Sequence, residues 1–458
     1  MYSKKKRMQS LTTSLQNNQS SMFSTDERVR MLQRKLYLKA KQSKTFKFYV
    51  LYDKVRLNYF IEEAYHRVRK NGGAPGVDGV TFEMIEKQGL NEFLLAIGKE
   101  LTNKTYRPQA VKRVYIPKAN GKTRPLGIPT IKDRVVQMSC KMVIEPIFEA
   151  DFSESSHGFR PKRSAKDAMK SIKNYLKERR VKVFDADLES FFDTIPHDKL
   201  MKALQERIAD ANILKLIEMW LKSPIVEDGK IKGGKNNKKG TPQGGVISPL
   251  LSNIYLNLLD RNIESMESIF KAEGVRIVRY ADDFLLLGGR ISEKVISKLE
   301  NLLGKMGLQL NKAKSRCVDL WKESMDFLGF TIRYARTPYK GSINRFWNIL
   351  PSKQSEKKMR QTIKAILRTS LHLEPSVYIR KLNTKLRGWM NYFNMEGVSQ
   401  MYTSTDRIAG YLGQTIYRMF RRKSQNGKSR HYRQYAYKKF IREHGLIDLY
   451  QCLNLRTL

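Results

Sequence analysis

Arg279-Tyr280-Ala281-Asp282-Asp283-Phe284 stands between two runs rich in apolar residues, Val275-Arg276-Ile277-Val278 before it and Leu285-Leu286-Leu287-Gly288-Gly289 after it. Two such runs around an acidic pair read as a β-hairpin with the carboxylates at its turn. Adjacent carboxylates repel: at about 4 Å and an effective dielectric near 20, a like-charge pair costs about 4 kcal/mol. A pair of divalent ions removes that penalty, because Mg²⁺ prefers carboxylate oxygens together with substrate phosphates. A bare acidic turn open to water is the competing reading, and the hairpin alone does not choose between them.

Composition narrows the choice. The chain has 458 residues, 41% of them hydrophobic and 10% aromatic, which is enough for several domains with a real core. Its 87 Lys+Arg outnumber 44 Asp+Glu, giving a formal net charge of +43. That excess exceeds what solubility needs and implies a polyanionic partner. Nucleic acid comes first, since a phosphate backbone engages many cations through counterion release. No apolar run approaches the roughly 18 residues of a spanning helix, so no membrane partner is expected. The start, Lys4-Lys5-Lys6-Arg7 followed by Ser- and Gln-rich sequence, lacks the apolar core of a secretory signal. Cys140, Cys317 and Cys452 are odd in number and far apart, which fits a reducing cytoplasm and neither a disulfide framework nor a zinc site.

Residues 1–50 carry twelve Lys/Arg against Asp26 and Glu27. Helical spacing predicts helices over Thr25–Lys41 and Leu51–Lys70. The glycines and proline of Asn71 to Gly79 make a loop whose backbone N–H groups are suited to a phosphate chain, with an ordinary turn as the alternative. Val111–Lys118 and Thr123–Pro129 read as a hairpin around Gly121. Lys118 and Arg124 flank its turn, where both can reach one phosphate, and a solvated basic hairpin is the alternative. Thr130 caps a helix running to about Glu149. Ser155–Pro161 is a loop, and a helix follows over 164–179. Val181–Phe184 reads as a strand that ends in acids, with Asp187 where a ligand meets the sheet and Asp185 and Asp193 as nearby alternatives. Residues 228–240, with five lysines, read as a flexible basic loop. Thr241-Pro242-Gln243-Gly244-Gly245 opens a helix from Ser248, with Gln243 either placed to touch a ligand or serving the turn alone. A helix is expected over 291–306 and a strand over Met325–Phe330. Three amphipathic helices follow, near 352–370, 376–394 and 400–423, in a stretch (351–440) with twenty Lys/Arg against four acids. Arg387-Gly388-Trp389 sits in the second, where cations mixed with aromatics suit backbone contact and base stacking. Burial of Trp389, Tyr392 and Phe393 in a helix bundle is the other reading.

Nine motifs then stand in one order: Gly76-Val77-Asp78-Gly79; Ile116-Pro117-Lys118 to Arg124-Pro125-Leu126-Gly127; His157-Gly158-Phe159-Arg160-Pro161; Asp187 to Phe191-Phe192-Asp193 with His197; Thr241-Pro242-Gln243-Gly244; Tyr280-Ala281-Asp282-Asp283; Leu308-Gln309-Leu310-Asn311 with Lys314; Phe327-Leu328-Gly329-Phe330; and Arg387-Gly388-Trp389. In this order, over roughly residues 60–425, the chain resembles the bacterial group II intron-encoded reverse transcriptases and maturases. The resemblance implies an α+β right-hand polymerase, with fingers and an antiparallel palm sheet, followed by an α-helical thumb. The expected divisions are a basic N-terminal extension over 1–70, fingers and palm over 71–340, the thumb or maturase domain over 341–430, and a short basic tail over 431–458. The His-Asn-His endonuclease found in many members is not expected here.

The same resemblance implies RNA-directed DNA synthesis with two Mg²⁺ ions, or Mn²⁺ in their place, on an RNA template. Its partners would be group II intron RNA, a DNA primer or target, and dNTPs. It assigns the metal ligands to Asp187, Asp282 and Asp283, with the Leu188 carbonyl. It places Lys118 and Arg124 on the β- and γ-phosphates, Gln243 beside the incoming nucleotide and Lys314 near the carboxylates. Phe192 would collide with a ribose 2′-hydroxyl. Arg160, Arg387 and Trp389 would contact nucleic acid. A stand-alone enzyme of host defence, spacer acquisition or repair shares this chemistry. A non-catalytic RNA-folding cofactor would have no use for three converging acids.

Overall fold

A computed structural model describes residues 24–454 apart from 118–120, 122, 235, 340–341, 371, 396–397, 399–400 and 424–431. At its centre is a four-stranded antiparallel sheet in the order β6-β7-β3-β8, made of Arg276–Tyr280, Asp283–Gly288, Lys182–Ala186 and Arg316–Asp319. Strand β7 explains the uninterrupted apolar run after the acidic pair. Side chains alternate between faces, and here both faces are buried. Phe284 and Leu286 enter one core, while Leu285 and Leu287 enter a second.

The first core is helical. It takes Val29 and Leu36 from Thr25–Gln42, Phe60 and Tyr65 from Asn58–Asn71, and long runs of Ile131–Glu149 and Ser248–Glu264. The residues 25–70 expected as part of a basic extension therefore belong to this core. The helix expected over Leu51–Lys70 is broken: Tyr52–Val55 is a single turn, and a new helix starts at Asn58. Thr130 caps Ile131–Glu149, accepting the Asp133 N–H.

The second core joins the other face of the sheet to Ala165–Lys177 and to three helices, Lys353–Thr369, Pro375–Phe393 and Met401–Lys423. Two further helices, Tyr432–His444 and Leu449–Asn454, lie within the expected tail, and Phe440 and Leu449 are buried in the same core. The strand expected over Met325–Phe330 is interrupted. Leu328 and Gly329 take positive φ (50° and 78°), turning β9 (Met325–Phe327) back into β10 (Phe330–Tyr339), which pairs with β11 (Ser342–Pro351).

A second four-stranded sheet carries the basic hairpin. Strands β1 (Val111–Pro117) and β2 (Thr123–Ile128) pair antiparallel, and β4 (Pro224–Glu227) and β5 (Lys230–Gly233) extend the sheet. Part of the loop expected over 228–240 is thus strand, since Ile225↔Lys232 and Val226↔Ile231 form a regular ladder. Among the described residues, no helix is long and apolar enough to cross a membrane.

Candidate active site

The acids converge through strand register. Ala186 on β3 lies opposite Phe284 on β7, so one further step sets Asp187 opposite Asp283. Tyr280 pairs with Asp283 across the tight turn, which leaves Ala281 and Asp282 as its two central residues. Ala281 has φ 59°. A two-residue hairpin with positive φ at its first central position favours glycine, and an alanine there costs roughly 1–2 kcal/mol.

A buried network holds that turn. Arg279 is 0% exposed and donates from Nε (2.8 Å) and Nη2 (2.5 Å) to the Asp260 carboxylate. Its Nη1 donates to the Ala281 carbonyl and to Asn253 Oδ1, both at 2.9 Å. Asn253 donates in turn to the Gly158 carbonyl at 2.8 Å. A Cβ on Gly158 would sit 2.3 Å from the Ala281 nitrogen, so only glycine lets this loop lie against the turn. The loop also adds itself to the edge of β6: Arg279 N–H donates to Ser155 O and His157 N–H to Arg279 O. Sequence reading missed this network. Its signal was present, because Asn253 and Asp260 recur at i and i+7 on a helix otherwise rich in apolar residues.

Around Asp187, Asn311 N–H donates to its carbonyl (2.8 Å), Ser315 Oγ accepts from its N–H (3.1 Å), and Lys314 Nζ contacts Oδ2 at 2.6 Å. Leu188 forms a one-residue bridge with Leu310. Ser190, with φ 45°, turns the chain into the short helix Phe191–Thr194. Phe192 is half-buried, its ring centroid 5.3 Å from that of Phe191, and its carbonyl accepts from Thr241 N–H at 2.7 Å. Gln243 follows two residues later, and its Oε1 accepts from Arg124 Nε at 3.2 Å. The basic hairpin is seated by Gly127 N–H donating to the Gln243 carbonyl (2.5 Å). A Cβ on Gly244 would come within 2.2 Å of Gly127 O. Phe192, Gln243 and Arg124 are thus joined through backbone and side-chain hydrogen bonds, and Arg124 is close enough to lower the Asp282 carboxyl. Lys118 lies outside the described residues.

Burial raises the Asp282 carboxyl first, with Asp187 adding to it and Arg124 and Arg279 opposing. Asp283 is open to solvent along one edge yet is pushed up to about 6. Desolvation is the main cause, followed by Asp282, Asp187 and Asp185, with Lys314 opposing. Carboxylates that destabilise one another gain from a bound cation. No group of three or more His, Cys, Asp or Glu side chains closes into a ready-made metal cage among the described residues.

Two expected nucleic-acid contacts are corrected. Arg160 has a side chain only 2% exposed, with Nη2 on Glu149 at 2.7 Å and Nη1 on Ser156 O at 2.7 Å. All its donors face inward, and it braces the 153–160 loop. Trp389 is buried in the second core, its ring centroid 5.2 Å from that of Phe393. Trp389 thus points into the packed interior, whereas Arg387 is exposed on the same helix.

The chain is also similar to known proteins. Residues 116–332 match the reverse transcriptase (RNA-dependent DNA polymerase) family, and residues 356–436 match the group II intron maturase-specific domain. Protein YkfC of Escherichia coli (strain K12) is 36% identical over 304 residues, covering 59% of this chain and 78% of YkfC. The group II intron-encoded protein LtrA of Lactococcus lactis subsp. cremoris is 38% identical over 218 residues, covering 46% of this chain and 34% of LtrA. With the acidic turn inside the first matched segment and the helices from Lys353 onward overlapping the second, the chain belongs to the group II intron type of reverse transcriptase, an RNA-directed DNA polymerase joined to a maturase-specific segment.

Proposed function

We propose that the protein copies RNA into DNA at the Asp187–Asp282–Asp283 end of the central sheet. The observation that carries this is the β3–β7 register, which unites acids 95 residues apart in sequence beside an arginine-bearing hairpin. Asp187, Asp282 and Asp283, with the Leu188 carbonyl, are the ligands for two Mg²⁺ ions, or for Mn²⁺ in their place. When bound, such ions lower the pKa of a primer 3′-hydroxyl and stabilise the oxygens of departing pyrophosphate. The protein's own groups do the positioning. Arg124, with Lys118, takes the β- and γ-phosphates of a dNTP. Gln243, steadied by Arg124, lies along the nucleotide. Phe192 occupies the space a 2′-hydroxyl would need. Lys314 holds the Asp187 carboxylate in place through its 2.6 Å contact.

In this reading the first core and the two four-stranded sheets form fingers and palm. The helices Lys353–Thr369, Pro375–Phe393 and Met401–Lys423 form a thumb that also binds group II intron RNA as a maturase, with exposed Arg387 on its outer face. The DNA partner is the primer or target strand. The experiment is extension of a DNA primer on an RNA template with dNTPs and Mg²⁺. Asp282→Ala should abolish extension and leave RNA affinity nearly intact. Extension at the wild-type rate would remove the carboxylate from the chemistry.

A further inference from the structure

Residues 333–355 fall between the two matched segments, and they make up most of the β10–β11 hairpin. Its register pairs Ile332 with Ile349, Tyr334 with Trp347 and Arg336 with Arg345. Alternation puts these three pairs on one face. The face changes character outward. Ile332 and Ile349 are buried in the second core, Tyr334 and Trp347 are half-buried, and both arginines are exposed. Trp321, from the turn after β8, lies across the aromatic pair, 4.3 Å from Tyr334 and 5.2 Å from Trp347 between ring centroids, and remains 45% exposed.

Two features here have no internal explanation. Like charges directly opposite on paired strands destabilise a sheet, yet Arg336 and Arg345 are such a pair. The tip beyond them, Thr337 to Asn344, contains no acid, and no described carboxylate is ion-paired with either arginine. The indole of Trp321 also keeps much of its surface in water although a core lies beside it. Lys322 and Glu323, in the same turn, offset each other. An open aromatic ring beside two unneutralised guanidinium groups has the chemistry that takes one polynucleotide strand, a base on the ring and phosphates on the forks.

The location separates this face from polymerisation. Strand β8 has Arg316 opposite Asp185, near the acidic turn, and Asp319 opposite Lys182 at the far end. Trp321 follows that far end, more than the length of a strand away from Asp187. The maturase-matched segment begins at residue 356, just after the hairpin closes at Pro351.

We propose that Trp321, Tyr334, Trp347, Arg336 and Arg345 form a second RNA-binding face, which takes a single-stranded stretch of the RNA engaged by the adjoining helical unit. This rests on the RNA partnership proposed above. The test uses the full chain, an unstructured 5-bromouridine-containing RNA, DNA of the same sequence, and a short primed RNA template for extension. Trp321→Ala should weaken RNA binding at least about fivefold, the smallest effect of a lost base stack. The double variant Arg336→Glu/Arg345→Glu, exposed and outside the core, should make the log–log salt slope shallower by about 1.4, or 0.7 per lost phosphate contact. Photocrosslinks should map to the peptide bearing Trp321, and extension of the short template should stay at the wild-type rate. Unchanged affinity and slope in folded variants, a loss confined to DNA, or a matching loss of extension would each overturn the assignment. A wild-type protein that crosslinks here but fails to extend would instead count against reverse transcription alone.

Discussion

Arg279 and Asp260 form a fully buried ion pair beneath the turn that carries Asp282, with both side chains 0% exposed and Nη2 2.5 Å from Oδ2. The same guanidinium reaches the Ala281 carbonyl, so the charge that neutralises Asp260 also fixes a backbone conformation that alanine resists. Stability and the shape of the acidic turn meet in one side chain.

Removing one partner of such a pair leaves an uncompensated charge and costs about 3–5 kcal/mol. Arg279→Met or Asp260→Leu alone should therefore destabilise by that amount in urea unfolding. The double variant should recover most of the stability, because hydrophobic replacements of buried pairs are often tolerated. Its primer extension should remain impaired, because Ala281 and Asn253 still lack their donor. A double variant with full activity would show that the turn holds its shape without Arg279.

Asp283 predicts a pH-dependent effect in the metal-free protein. Its carboxyl is raised to about 6, so the fold binds a proton more readily than the unfolded chain. Its contribution to stability is present below the unfolded value near 4 and is lost as pH rises through about 6. Asp283→Asn should raise the thermal midpoint near neutral pH without divalent ions, by an amount that shrinks toward pH 4. Mg²⁺ should raise the midpoint of the wild type more than that of the variant. An equal Mg²⁺ response in both proteins would argue against Asp283 as a ligand.

His157 acts in the opposite sense. Burial lowers its imidazole to about 4, Arg163 and Arg160 add to this, and Asp167 and Glu154 oppose. The unfolded chain takes the proton first, so stability is lost as pH falls from about 6.5 toward 4, by at most about 3 kcal/mol. Chemical unfolding of wild type against His157→Gln across this range isolates the effect. Parallel curves would mean that the ring is protonated in the fold.

Phe192→Val should let ribonucleotides in. Adding or removing a small group in a pocket is worth roughly 10–200-fold in selectivity, so single-turnover incorporation of rNTP against dNTP should shift within that range. Unchanged discrimination would return Phe192 to the core it borders.

Local periodicity and capping were legible in the sequence because they depend on neighbours in the chain. Thr130 caps its helix, and the helices Lys353–Thr369, Pro375–Phe393 and Met401–Lys423 begin and end within a few residues of their expected limits. The break at Leu328–Gly329 was missed because four of the six residues from Met325 to Phe330 are apolar and read as one continuous run. The backbone reverses there to let β10 pair on both sides. Strand β5 was missed because its lysines and glycines gain a ladder only where β4 is already placed.

The sequence by itself determined that acids, basic hairpin and helical segment occur in the order of a reverse transcriptase, since that order is written along the chain. Tertiary structure decided which polar side chains face the site. Arg160 and Trp389 turn inward, and Arg279 becomes the support of the acidic turn. The reason is physical: a cation's role is set by the carboxylate and the burial it meets, and partners 11 to 26 residues away, such as Glu149 for Arg160 or Asp260 and Asn253 for Arg279, are chosen only when the elements pack.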